Sequence, residues 1–463
     1  MLKKYDIYIY SILLAIAINI FSWHLPFFWD TILTSTITQY FYENGFHNFI
    51  TPAMYDAGHP PLFYCYVTCF YYLFGKALWV AHLSMLPFTV VGIVAFVNLL
   101  QYFSFSKIQQ LLGVMLYFLI PAVASQNIQV SYDAVLLSLY LLAIVSYLAN
   151  KKIVFALLSF LMLGITLRGV FCVAALSITI FFIEHKSFSK WLKWNLLLLP
   201  SILLISGWYF YHYTNTGWFF ATNAEGWDKQ RGIVDFMGLF KNCFSNARCF
   251  FDLGIVTLSI LCFYYIYKNY KIDKITLFWL IPAVVFSVSF LPFTNPINHR
   301  YFLIVYVMML LPVLRLMQTI NKKYSILLAC MLLLGNFQLY PVPISNGWDC
   351  TLAQLNYFKC MNMLNERNAQ KQFLQKNITG TVFPLNVSLY QSEMKNDTIK
   401  MTNINGKRID NLPFVLYANI GNDFSTEQIN QLHQTKKWMI EKEFKYGFVK
   451  IILYKNKQSV PIN

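Results

Sequence analysis

Charge is scarce in this sequence. Asp, Glu, Lys and Arg make up 12% of the 463 residues, where soluble domains carry roughly 25%. Acids are the rarer part, 20 against 36 basic residues, for a net charge of +16. The basic residues fall in short clusters between apolar runs, a pattern set by membrane topology rather than by a nucleic-acid surface. Nine cysteines include no Cys-x-x-Cys, so a metal or redox site of that kind is absent. No small-residue cleavage site follows the first apolar run behind Lys3 and Lys4, so that run is expected to remain as an anchor. What the chain has instead is 57% hydrophobic and 18% aromatic residues, which excludes a soluble globule.

Spanning a bilayer core takes roughly 20 apolar residues. Eleven segments qualify, at about 7–24, 79–101, 107–124, 133–149, 153–168, 169–184, 194–212, 251–267, 274–291, 300–315 and 323–340. Residues 60–75 are apolar too, but short, aromatic-rich and opened by Pro60-Pro61. They read as an interfacial or re-entrant helix, because counting them as a span inverts everything downstream. Before residue 341, fourteen basic residues then share the side of the N-terminus and seven lie on the other. That bias predicts a cytoplasmic N-terminus and an outer C-terminus. The acids were not used to choose this topology. Asp30, Glu43, Asp56, Asp133, Glu225, Asp228, Asp235 and Asp252 fall outside, and Asp6, Glu184 and Asp273 inside. Acids are expensive near a bilayer, so a one-sided set marks a chemical face.

Residues 341–463 are polar and carry nine of the twenty acids. They read as a small extracytoplasmic α/β domain, with a helix over 347–368, a strand over 414–417, a short helix opened by Ser425-Thr426-Glu427 and a final strand over 445–454. This segment has no Gly-rich phosphate loop, nucleophile elbow or metal motif. The expected fold class is an all-α polytopic membrane protein, residues 1–340, with that C-terminal domain. Cys65, Cys69, Cys172, Cys262 and Cys330 lie in apolar segments as packing residues. Cys243 and Cys249 share what reads as a polar outer loop and are a candidate disulfide, whereas Cys350 and Cys360 are too far apart along one helix to bridge.

The motifs cluster at one face. Trp29-Asp30 follows the first span, and Asp56-Ala57-Gly58-His59-Pro60-Pro61-Leu62 opens the aromatic helix ending in Phe74-Gly75. Ser131-Tyr132-Asp133 begins a later span, Arg168 sits near an outer end, and His299-Arg300-Tyr301 opens another span. In this order the features resemble the multispanning GT-C glycosyltransferases. The nearest branch is the bacterial dolichyl-phosphate-mannose-protein mannosyltransferase-like group, which includes the lipid A aminoarabinose transferases. The resemblance covers about residues 1–340, in feature order more than letter by letter. It implies transfer of a sugar from a polyprenyl phosphate to a lipid, protein or glycan acceptor, in a bacterial inner membrane. Asp30 matches the first acid of the family's Asp-Glu pair, but Thr31 stands where relatives carry Glu. His59 stands where the aminoarabinose branch has Lys before Pro-Pro, which leaves the sugar open.

Under that resemblance each residue acquires a candidate role beside a structural one. Asp30 is the candidate general base, or else the N-cap of a helix over 31–42. Arg300 and Arg168 are candidate phosphate ligands, or a snorkelling and a paired structural arginine. His299 adds a second cation beside Arg300, and Tyr301 completes the motif. Asp56 and His59, three residues apart across a glycine, are candidates to share a divalent ion or a hydrogen bond, or to shape a turn. Asp133 orients an acceptor or a metal, or caps its helix. Trp218 and Trp227 in the loop 213–250 suit a sugar ring, though interfacial tryptophan explains them better. The competing function is a multispanning transporter or flippase of lipid-linked sugars. Against it stand the absence of an internal repeat and acids gathered at one face rather than at mid-membrane.

Overall fold

The computed structural model describes residues 5–25, 27, 30–47, 49–51, 56, 58–184, 187–219, 232–270, 272–295, 297–319, 322–337, 378–380, 401–403, 409–418, 426–434, 436–446 and 449–458. The chain opens with α1 (Asp6–Ser22), α2 (Asp30–Asn44) and α3 (Leu62–Phe74). α4 (Leu78–Leu83) and α5 (Leu86–Tyr102) run on as one 25-residue apolar helical segment. α6 (Lys107–Leu119) bends by 75° into α7 (Pro121–Asn127), and α8 (Tyr132–Leu148), α9 (Lys152–Ile165) and α10 (Arg168–Ile183) follow. α11 (Phe188–Leu196) meets α12 (Leu199–Thr216) at 42°, and α13 (Phe236–Phe251) meets α14 (Val256–Asn269) at 88°. α15 (Lys274–Phe290), a 3-10 turn (His299–Phe302) running into α16 (Leu303–Leu316), and α17 (Lys322–Gly335) complete the bundle.

Helices stand at each of the eleven expected segments, two of them as bent pairs. Leu78–Tyr102 and His299–Leu316 are each long and apolar enough to cross a membrane alone. At 13 residues, α3 reaches about 20 Å. Local chemistry sets the ends. Ser106 and Gln109 form a capping box on α6, and Asp273 caps α15 through the Thr276 amide. Proline occupies the first turn of α5, α7 and α12, where no amide donor is lost.

The bundle is apolar inside and out. Val305, Met308 and Leu311 of α16 are fully buried between α6, α8, α14 and α15. α5 and α8 approach so closely at Gly92 that a Cβ there would lie 2.5 Å from Ser138 Oγ. Facing outward, Leu13, Ile153, Leu157, Leu203, Leu204, Phe263 and Val288 are exposed. Apolar surface of that extent on hydrogen-bonded helices needs lipid around it. The chain is a polytopic membrane protein.

Two expectations fail in the segment before α14. Residues 236–251 are helix, not polar loop, because Asp235 caps the Gly238 amide and the phenylalanines repeat at helical spacing. Cys243 and Cys249 therefore share one helix, the first exposed and the second buried. Six residues of helix separate them by about 9 Å along the axis and turn them apart, so they do not bridge.

The C-terminal strands β1 (Ile378–Gly380), β2 (Met401–Asn403), β3 (Phe414–Ala418), β4 (Trp438–Tyr446) and β5 (Val449–Asn456) form one sheet in the order β2-β1-β3-β5-β4. β1 pairs parallel with β2 and β3, and β5 pairs antiparallel with β3 and β4. The single strand expected over 445–454 is instead parts of two, with Tyr446 opposite Val449. Alternation divides the sheet: Val415, Ile452 and Tyr454 pack with Leu432 of α18 (Thr426–Leu432), while Leu416, Phe444 and Leu453 join the apolar cluster of the helices. The helix expected over 347–368, Cys350, Cys360 and Trp227 lie outside the described residues.

Candidate active site

The N-termini of α8 and α10 and the 3-10 turn bring three of the expected site residues together. Ser131 caps α8, accepting from the Asp133 amide at 3.2 Å, and its own hydroxyl donates to Gln126 Oε1 at 2.6 Å. Arg168 opens α10 directly after the Thr166-Leu167 break. Gly169 makes that turn possible, since a Cβ there would overlap the Met162 carbonyl. Arg168 Nη2 lies 3.0 Å from Asp133 Oδ1, and Arg300 Nε lies 3.9 Å from Asp133 Oδ2. Two guanidiniums thus converge on one carboxylate among nearly buried groups.

Tyrosine rings wall this cluster. The Arg168 guanidinium stands 4.5 Å from the Tyr301 ring centroid and 5.0 Å from that of Tyr132, and Arg300 stands 5.3 Å from Tyr301. Each is a cation over a π face. Tyr301 stacks on Phe290 at 4.8 Å, and its hydroxyl accepts from Asn295 Nδ2 at 3.2 Å. Arg168 Nη1 is buried with no hydrogen-bond partner among the described residues. A buried donor left unmade costs about 1–3 kcal/mol or more, so this atom is prepared for an acceptor such as an anionic oxygen.

His59 joins from the other side. Its Nδ1 lies 3.3 Å from Thr166 Oγ1, and its ring meets Tyr132 edge-on at 5.7 Å. Asp56 does not join. Its Oδ1 accepts from the Gly58 amide at 2.7 Å, and its Oδ2 lies 2.7 Å from His212 Nε2 on α12. Asp56 and His59 thus have separate partners, Asp56 on α12 and His59 at the break between α9 and α10. Among the described residues no group of three or more His, Cys, Asp and Glu converges as a metal would need. His299 Nε2 turns to Asp252 Oδ2, 3.2 Å away at the end of α13. Asp30 is the first residue of α2. Its side chain lies outside the described residues.

Sequence reasoning missed the roles of Tyr132, Thr166, His212 and Asp252. Tyr132 alone carried a signal, standing beside Asp133. His212 lies 156 residues from Asp56, with no local pattern to expose it.

No known family profile and no curated relative matches this sequence. Solved structures do. ArnT from Cupriavidus metallidurans in the apo state superposes with a TM-score of 0.58 at 12% identity, over 96% of this chain and 97% of that one. The chain has the ArnT fold. The same protein bound to undecaprenyl phosphate gives a TM-score of 0.53 at 11% identity, over 98% of this chain and 99% of that one. ArnT is a lipid A aminoarabinose transferase of the GT-C superfamily, the branch the motif order resembles. Near-complete coverage of both chains extends the ArnT likeness past the bundle into the C-terminal sheet.

Proposed function

We propose that this chain is a membrane glycosyltransferase that moves a sugar from a polyprenyl-phosphate carrier to an acceptor at the extracytoplasmic face of a bacterial inner membrane. The observation that carries the reading is the buried Arg168–Asp133–Arg300 cluster, with the unmet Arg168 Nη1. It supports an anionic headgroup at one membrane face, in a fold that in ArnT is bound to undecaprenyl phosphate.

In the proposed step the acceptor hydroxyl or amine attacks the anomeric carbon. The bond from that carbon to the phosphate oxygen breaks, and the polyprenyl phosphate departs with the electron pair. Arg168 and Arg300 take up the charge that builds on the leaving phosphate, through charge-assisted hydrogen bonds. Asp133 keeps the two guanidiniums from repelling each other and aims them. Tyr132, Tyr301 and His59 line the approach. Asp30, matched through the family resemblance, removes the acceptor proton, and a single displacement of this kind inverts the anomeric centre.

The test is transfer from radiolabelled polyprenyl-phosphate sugars in membranes carrying wild type or Asp30→Asn. Removing a general base is expected to lower the rate about 10²–10⁴-fold with carrier binding retained. Equal transfer by the variant would take Asp30 out of the chemistry. No transfer by wild type across several sugars and acceptors, with carrier binding intact, would favour a carrier-lipid transporter.

A further inference from the structure

Along α13, Phe236, Phe240 and Phe244 repeat every fourth residue and are 85%, 68% and 73% exposed. Met237 and Phe251 widen the stripe on the same side. The opposite side is fastened down. Asn242 Nδ2 donates to the carbonyls of Leu291 and Phe293, both at 2.8 Å, and Asn246 Nδ2 donates to the Ser287 carbonyl at 3.1 Å. Tyr306 Oη donates to the Cys249 carbonyl at 2.8 Å. The exposed phenylalanines are therefore not a face awaiting its place in the bundle.

Position says what covers them. α13 stands at 88° to α14, whose outward Ile260, Phe263 and Tyr267 belong to the lipid-facing surface. A helix perpendicular to a span lies in the membrane plane, and its stripe continues the apolar belt. α13 contains no acid, and helical spacing sets Lys241 and Arg248 along one edge of the stripe. An apolar aromatic face edged by basic residues is the pattern of an interfacial helix.

The far end of this helix reaches the arginine cluster. Asp252 closes α13 and pairs with His299 at 3.2 Å, and Phe250 packs on Phe302 with ring centroids 5.2 Å apart. Those contacts grip the 3-10 turn that carries Arg300 and Tyr301. We propose that α13 docks flat in the lipid interface on the side of the arginine cluster, phenylalanines among acyl chains and Lys241 and Arg248 at headgroup phosphates, and that this seating holds the turn bearing Arg300 in place. The coupling to Arg300 rests on the proposed function; the docking does not.

Two measurements on the full chain in phosphatidylethanolamine–phosphatidylglycerol nanodiscs test it. Nitroxides are attached at Phe240→Cys and, as a control on the C-terminal domain, at Lys457→Cys, in a background without the other labelling cysteines. The ratio of oxygen to aqueous nickel-chelate collisions is expected to be about tenfold higher at 240 than at 457. Equal ratios, or protection of 240 from both reagents by a protein surface, would overturn the docking. In the second measurement, replacing Phe236, Phe240 and Phe244 by Ser is expected to weaken undecaprenyl-phosphate binding about fivefold with thermal unfolding unchanged. Unaltered affinity would overturn the coupling. A wild type that binds no undecaprenyl phosphate would overturn the coupling and the functional reading together, while the label ratios still decide the docking.

Discussion

Asp133 touches both arginines, but unequally, and the difference separates architecture from binding. Its contact with Arg168 is a 3.0 Å ion pair between nearly buried groups. Breaking such a pair costs about 3–5 kcal/mol, because the remaining charge stays buried and uncompensated. Asp133→Asn is therefore expected to lower the thermal midpoint measurably in detergent. Arg300, 3.9 Å from the same carboxylate, gives Asp133 little support. Arg300→Ala should lower the midpoint less than Asp133→Asn does, while weakening polyprenyl-phosphate binding about tenfold or more. The reverse pattern in calorimetry and binding would exchange the two assignments. Thiol chemistry gives a second check at this scale. Burial, with a smaller push from Cys69, raises the Cys65 thiol to about 12, so it stays protonated at pH 8. Cys243 is exposed and free. Mass spectrometry after maleimide treatment without reductant should find Cys243 modified and both Cys65 and Cys249 unmodified. A Cys243–Cys249 disulfide peptide would contradict the helix that carries them. At this scale the sequence was legible where a chemical residue stood at a span end, as Asp133, Arg168 and Arg300 do. It was not legible for Asp56, whose partner His212 is brought near only by the packing of α12.

Elements were legible to the extent that one physical demand dominated them. A bilayer requires a long apolar run, so α1, α5, α8 and α16 are visible as composition alone. α13 answers to a different demand. Its phenylalanines alternate with Lys241, Asn242, Asn246 and Arg248, and averaging over the segment reports a polar loop. Only the four-residue spacing reveals an amphipathic helix. The sheet shows the complementary failure, because an apolar run through 445–454 hides a reversal. The α9–α10 break tests the element scale directly. Gly169 lies against the Met162 carbonyl with no room for a Cβ, and backbone cannot rotate aside as a side chain would. Gly169→Ala is expected to cost about 1–3 kcal/mol and to shift the first turn of α10, and Arg168 with it. Both thermal stability and sugar transfer should fall. Full transfer by a stably folded variant would mean that the break tolerates a different geometry.

At the scale of the whole molecule, the arrangement has one chemical side. The N-termini of α8 and α10 and the start of the 3-10 turn meet there, and α13 ends beside them through Asp252. On the opposite side, Arg315 Nη2 donates to the Phe103 carbonyl at 2.7 Å, Lys268 Nζ donates to Thr319 Oγ1 at 2.8 Å, and Lys190 faces Glu184. Those basic residues are the ones the charge bias assigns to the cytoplasm. The two sides thus differ in kind: Arg315, Lys268 and Lys190 tie helix ends together or stay exposed, whereas Arg168 and Arg300 are drawn into a buried cluster. A topology with the opposite sense would set the carrier-lipid site in the cytoplasm and most of the basic residues outside, against the insertion bias. Alkaline phosphatase fused after Asn463 is accordingly expected to be active in a bacterial host, and green fluorescent protein fused there to be dark. A fluorescent, phosphatase-inactive pair would invert the orientation. It would leave the Asp133 cluster intact but move its chemistry to the cytoplasmic face, where a nucleotide-sugar donor would have to be tested beside the lipid-linked one.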